Sequence, residues 1–258
     1  MKHAMTTVIP VAYTSIDPQN IMGYLQTIGV SDPTEQIPKN ITGLDYLPAF
    51  AGKLCYNSFE PGLNPNVSKV RTDYQDYIGN ILKQKHGAVL EHSSISFVFH
   101  NVSRVFTHEL VRHRAGVAIS QESLRYVRLQ TIPMNVPDSL SKYDDKIVSI
   151  VEQIEDLYGD MVCDFDLDNP EVSFHVKKEI TSAMRRLAPE GLATTILWTA
   201  NLRTLRHVIA LRTALGAEEE IRKVFLSVAR YAKRFAPYAF QDMTIGEDGV
   251  CTFEHDKV

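Results

Sequence analysis

Residues 112–126 (RHRAGVAISQESLRY) hold three arginines, a histidine, two serines, Gln121 and Glu122 within fifteen positions. A guanidinium offers a planar fork of donors matched to phosphate or carboxylate, and a serine hydroxyl or a main-chain N–H completes such a site. Gln and Glu side chains can read a base edge or a sugar hydroxyl, so the inventory suits a phosphorylated nucleoside. Upstream, His86-Gly87-Ala88-Val89-Leu90-Glu91-His92 puts imidazoles and a carboxylate within reach of ribose or ring atoms. A core histidine bonded to the main chain explains His92 equally well.

The arginines are unevenly spread. Residues 101–130 contain Arg104, Arg112, Arg114, Arg125 and Arg128, with only Glu109 and Glu122 as acids. Residues 181–212 contain Arg185, Arg186, Arg203, Arg206 and Arg212, with only Glu190. Neither segment has a lysine, so ten of the chain's fourteen arginines fall in 62 residues. Three acids cannot pair ten arginines within these segments, which favours anion binding over structural ion pairs.

Other chemistries fit less well. His108-Glu109-Leu110-Val111-Arg112-His113 approaches the zinc-protease pattern HExxH, but the second histidine is one residue late. On a regular helix an i,i+4 pair lies roughly 40° apart and an i,i+5 pair roughly 140° apart, so no shared metal is expected. No GxGxxG or GxxxxGK[ST] loop occurs. Cys55, Cys163 and Cys251 are widely spaced, form no CxxC pair and have no base beside them in sequence. They argue for a reducing compartment and against a thiol nucleophile. No apolar run approaches the roughly 18–20 residues of a membrane span, and the expectation is a soluble cytoplasmic protein. A net charge of −4 disfavours a generally basic nucleic-acid binder. An arginine-rich nucleotide or nucleic-acid-binding regulator, with a helix-turn-helix over 101–128, is the alternative, but it leaves the second arginine cluster unexplained.

The elements that must position these residues read as α+β (a mixed α/β chain) with helix in excess. Residues 1–45 read as an N-terminal extension or edge element, and 46–258 as one domain. A helical stretch covers 73–84, and His86-Gly87 is a turn. Residues 94–100 alternate, with Ile95, Phe97 and Phe99 on one side, and read as a strand. Asn101 or Ser103 can cap a helix running toward the RHR triplet. Residues 131–145 read as a loop, and Ile147, Val148, Val151, Ile154 and Leu157 mark an amphipathic helix. Pro170 starts a helix reaching Leu187. Residues 192–198 are β-prone, Asn201 caps a helix over 202–215 that Gly216 ends, and 218–235 is the last long helix.

Three separated motifs, in order, resemble the flavin-dependent thymidylate synthases. They are His86 with Glu91-His92, the run LVRHR followed by SQESLRY, and Arg185 near Pro189 followed by WTANLRTLRHVIALR. The similarity runs from about residue 50 to 240. It implies a central antiparallel sheet with flanking helices, a homotetramer with active sites at subunit interfaces, and non-covalently bound FAD. The implied reaction is reductive methylation of dUMP, with 5,10-methylenetetrahydrofolate as methylene donor and NADPH re-reducing the flavin. No nucleic-acid or membrane partner is implied.

By position, the resemblance gives FAD the neighbours Arg112, His113, Arg114, His86, Ala88 and Glu91, and also Gln121, Asn201, Arg203 and His207. dUMP would meet Gln121, Glu122, Ser123, Leu124, Arg125 and Arg185, with Glu109 and Arg112 close by. Arg212 would sit against the uracil ring, where a fixed cation raises electron density at carbon 5. Arg212 and Ser123 are thus the residues assigned to the chemistry. Two departures stand out. The family motif has seven residues between RHR and Ser, whereas eight (115–122) precede Ser123, and Glu109 occupies a place where the family more usually has Gln. Cys55 falls where the family often has Ser near the flavin.

Overall fold

A computed structural model describes residues 2–67, 69–129, 131–256 and 258. In chain order the first half contains β1 (Lys2–His3), β2 (Thr7–Tyr13), α1 (Pro18–Thr27), α2 (Gly43–Tyr56), α3 (Tyr74–Lys83), β3 (Ser94–Ser103), α4 (Arg104–Leu110) and β4 (Val117–Gln121). Then follow β5 (Pro133–Met134), α5 (Asp144–Asp164), α6 (Phe174–Met184), β6 (Ala193–Asn201), α7 (Leu202–Thr213), α8 (Glu219–Phe235), β7 (Met243–Ile245) and β8 (Cys251–Phe253).

The central sheet has the order β2-β3-β6-β4, with every neighbouring pair antiparallel. Its inner face follows from the alternation in 94–100. Phe97 lies opposite Trp198 and Phe99 opposite Ile196, and all four are fully buried. Phe225 of α8 closes this face, with its ring 5.7 Å from Trp198 and 6.2 Å from Phe99. Residues 1–45 contribute β2, which is an edge strand of this sheet. A second, smaller core gathers Leu129, Ile132, Met134, Val151, Tyr158, Leu167, Met184 and Leu192, so α5, α6 and the segment after β4 pack on one another.

Several elements differ from the sequence reading. The helix before the RHR triplet is only seven residues long. Ser103 caps it, its hydroxyl accepting the Phe106 N–H at 3.0 Å, and it stops at Leu110. Asn101 is instead a left-handed residue (φ 59°) at an irregularity in the β3–β6 register. With a strand at 117–121 and no second helix, the helix-turn-helix reading of 101–128 fails. Strand β4 was hidden inside the polar motif because it is an edge strand with small side chains. Helix α2 was not foreseen, since Gly43, Pro48 and Gly52 depress its propensity. Gly52 there permits close packing, because an added Cβ would lie 2.8 Å from the Tyr77 hydroxyl. Helix α6 starts at Phe174, where Ser173 caps it, rather than at Pro170, and becomes a 3-10 turn over Arg185–Leu187. Helix α7 ends at Thr213, and Gly216 is not among the positive-φ glycines. The 131–145 stretch includes β5, paired with β1, and a 3-10 turn over Asp138–Tyr143.

Arg206, read from the sequence as one of the anion-binding set, is structural. It forms a bidentate pair with Asp242 (2.7 and 2.9 Å), and both side chains are 5% exposed. It also donates to the Ala239 and His255 carbonyls and lies 4.3 Å from the Phe253 ring centroid. The guanidinium therefore fastens the β7–β8 hairpin onto α7, and its charge holds the Asp242 carboxyl below the ordinary carboxylate value despite burial. Removing one partner of such a buried pair strands the other charge. Arg206→Ala is expected to lower unfolding stability by about 3–5 kcal/mol in chemical denaturation; a midpoint equal to the parent's would show that the pair is not holding the hairpin.

Candidate active site

The RHR triplet lies in the loop between α4 and β4, and this loop runs along α7 in the opposite direction to the helix. At the helix start, Asn201 caps α7 by accepting the Thr204 N–H at 2.8 Å. The Asn201 N–H donates to the Gly116 carbonyl at 3.0 Å, and the Thr204 hydroxyl donates to the Ala115 carbonyl at 2.8 Å. Gly116 has φ +67°, and an added Cβ would lie 2.3 Å from Asn201 Nδ2, so only glycine fits there. At the far end of the helix, Arg212 takes hold of the loop. Its Nη1 donates to the Glu109 carboxylate, its Nη2 to the Glu109 carbonyl at 3.0 Å, and its Nε to His113 Nε2 at 2.8 Å.

This arrangement sets the state of His113. Because Nε2 accepts the Arg212 N–H, the ring is neutral with its proton on Nδ1. Burial, then the positive charge of Arg212, then His207 push its pKa down to about 4. The His207 ring lies edge-on, 6.2 Å from His113. Arg112 and Arg114, on either side, are exposed, and among the described residues neither has an ion-pair partner.

Beside the loop lies a cleft of about 770 Å³. Its walls include Glu91, Arg112, His113, Arg114, Asn201, Arg203 and His207, all singled out from the sequence. Arg203 bridges the cleft floor, donating to the Glu91 carboxylate at 2.6 Å and to the Val258 main-chain oxygen at 2.9 Å. Its size is within the range of small-molecule sites, and its unpaired guanidinium groups suit a ligand with several anionic oxygens. Among the described residues no group of three or more His, Cys, Asp and Glu is arranged to hold a metal. His113 lies beyond the end of α4, so helical spacing does not relate it to His108, which pairs instead with Glu190 at 3.3 Å.

Comparison with known proteins decides the family. Residues 39–238 match the family described as Thymidylate synthase complementing protein. A protein of Mycobacterium avium named flavin-dependent thymidylate synthase is 34% identical over 203 residues, covering 76% of this chain and 78% of that protein. Its counterparts in Mycolicibacterium vanbaalenii and Mycobacterium tuberculosis are 32% identical with the same coverage. The chain belongs to the flavin-dependent thymidylate synthase family.

Within this family member the expected site residues do not all meet in one place. His86 and Ala88 line a separate cavity of about 410 Å³, together with Cys55, Tyr56 and Arg71. Gln121 ends β4, with its amide 3.3 Å from the buried Thr107 hydroxyl. Glu122 continues the pairing through its N–H to the Thr195 carbonyl, and its side chain is exposed. Ser123 opens a turn, its hydroxyl accepting the Arg125 N–H at 3.3 Å. Leu124 packs on the second core, and Arg125 and Arg185 are both exposed on that part of the molecule. The sequence reading missed Gly116 and Thr204. The Asn201-x-x-Thr204 capping pattern was the available signal for the latter. The reading of Arg212 as a cation among apolar neighbours missed its partner, Glu109.

The depressed His113 value has a sign for stability. The unfolded chain binds a proton near the usual 6.5 while the folded chain resists until about 4. Folding therefore loses stability as pH falls from 6.5 toward 4 and gains nothing from this ring above 6.5. NMR of ε1-labelled histidine should show His113 neutral down to about pH 4, and Arg212→Met should raise its midpoint. A parent midpoint near 6.5 would refute the arrangement.

Proposed function

We propose that the chain catalyses reductive methylation of dUMP to dTMP, taking its one-carbon unit from 5,10-methylenetetrahydrofolate and using FAD re-reduced by NADPH. Bound FAD would supply the hydride chemistry, which removes the need for a thiol nucleophile. Arg112, Arg114 and Arg203 would hold its diphosphate, with Glu91, His113, Asn201 and His207 along the same cleft, and His86, Ala88 and Gln121 contributing from further off. For dUMP, Arg125 and Arg185 offer guanidinium groups without an ion-pair partner among the described residues to phosphate or ring oxygens, the Glu122 side chain is exposed, and the half-buried Ser123 hydroxyl lies beside them in sequence. Arg212 would stabilise negative charge developing on the uracil ring.

The observation that carries this reading is the division of the unpaired arginines. Arg112 and Arg114 flank the cleft, whereas Arg125 and Arg185 lie with the second core; in between, β4 spans about 13 Å at the usual strand rise. Two anionic partners, a dinucleotide and a nucleotide, account for two such sets. The separation also supports a homotetramer in which one copy completes the site of another. None of the three cysteines lines the cleft, and Cys55 lines the separate cavity with His86 and Ala88.

The deciding assay is oxidation of the reduced, flavin-loaded enzyme on adding dUMP and methylenetetrahydrofolate, with dTMP identified as product. Arg125→Ala and Arg185→Ala are expected to weaken dUMP binding roughly 10- to 100-fold, the cost of a charge-assisted contact, while flavin content stays near that of the parent. Loss of flavin with dUMP affinity retained would reverse the division of arginines.

A further inference from the structure

We propose that Glu109 is a positioning residue that aims the guanidinium of Arg212, and not itself a contact to the nucleotide. The inference rests on the reading of Arg212 as the group facing the pyrimidine.

A guanidinium has five N–H donors in a rigid plane. In Arg212 three of them are engaged, one on each nitrogen, and all three acceptors come from the short segment between Glu109 and His113. Two planar anchor points already define an orientation, and here there are three. Arg212 is 16% exposed and Glu109 32%, so the clamp is partly shielded from competing water. Donor arithmetic then leaves two N–H groups, one on each terminal nitrogen, for an external acceptor. What Arg212 presents is a pair of oriented donors, because the carboxylate beside it offsets most of its charge.

The carboxylate's own capacity points the same way. Gln121, also expected near the nucleotide, donates an amide N–H to Thr107 rather than to Glu109. An anionic side chain facing a phosphorylated substrate would repel it, whereas one spent on Arg212 does not. The main-chain carbonyl of Glu109 shares the task, so the aim of Arg212 is coupled to the path of the backbone at the end of α4.

Two substitutions separate reach from charge. Glu109→Asp keeps the charge and withdraws the acceptor by one methylene; Glu109→Gln keeps an oxygen acceptor at the original reach without the charge. Flavin oxidation at saturating dUMP is measured on the full-length, flavin-loaded enzyme. Glu109→Asp should slow kcat roughly 10- to 100-fold, as for a misplaced group near the reacting atoms, with KM for dUMP changing much less. Glu109→Gln should lose no more than about fivefold, the difference between a charged and a neutral hydrogen bond. Equal losses in the two variants, a larger loss in Glu109→Gln, or departure of flavin from both would overturn the proposal. Arg212→Ala run in parallel tells apart the two levels of failure. If it turns over like the parent, the role given to Arg212 falls; if it is slow while Glu109→Asp is not, only the positioning role falls.

Discussion

The site depends on the seating of residues 109–116 along α7. Beyond the end of α4 at Leu110 this stretch has no regular structure of its own, so its polar groups need partners from elsewhere. Helix α7 supplies them at both ends, through its cap at Asn201 and Thr204 and through Arg212 in its last turn. The burial of Arg212 and the neutrality of His113 are one fact seen from two sides. A protonated His113 would set a cation against a cation and leave the Arg212 Nε–H without its acceptor. All three residues of Arg-His-Arg line the cleft, with His113 held by Arg212 between two exposed arginines.

The arginine-rich composition covers two unlike jobs. Arg128 pairs with Asp168, Arg203 with Glu91, Arg206 with Asp242 and Arg212 with Glu109. Three of those four acids lie outside the segments in which the sequence census found too few. Counting acids near the arginines in sequence therefore overstated the unpaired set, because ion pairs are closed by the fold across 36 to 112 residues. Among the described residues Arg104, Arg112, Arg114, Arg125, Arg185 and Arg186 have no carboxylate partner. Within that remainder Arg112 and Arg114 flank the cleft.

What could be read from the sequence was what local chemistry dictates. The alternation of 94–100, the helix over 73–84, the cap at Asn201 and the long amphipathic helices all follow from period and capping, and they formed nearly as read. The elements that escaped depend on partners distant in the chain. Helix α2 tolerates Pro48 because α3 and the sheet core cover it, and β4 forms because β6 offers an open edge. The seven cleft residues named from sequence meet in one wall, whereas His86 and Ala88 lie in another cavity. No spacing rule could have told these cases apart, since only packing decides which side of the 86–92 turn faces the cleft.

The extra residue between the RHR triplet and Ser123 can be located by register. A strand presents alternate residues to alternate faces, so one residue added inside it would turn every later side chain to the wrong side. Strand β4 pairs with β6 without interruption from Val117 opposite Ala200 to Gln121 opposite Ile196, with no bulge to absorb an insertion. The Glu122 N–H carries the pairing one step further, to the Thr195 carbonyl. The additional residue therefore falls before Val117, where the backbone already leaves the extended region at Gly116. There a left-handed glycine can take up one more residue without disturbing either neighbour. The loop stays tied to α7 through Ala115 and Gly116, and Gln121 keeps the face that β4 gives it.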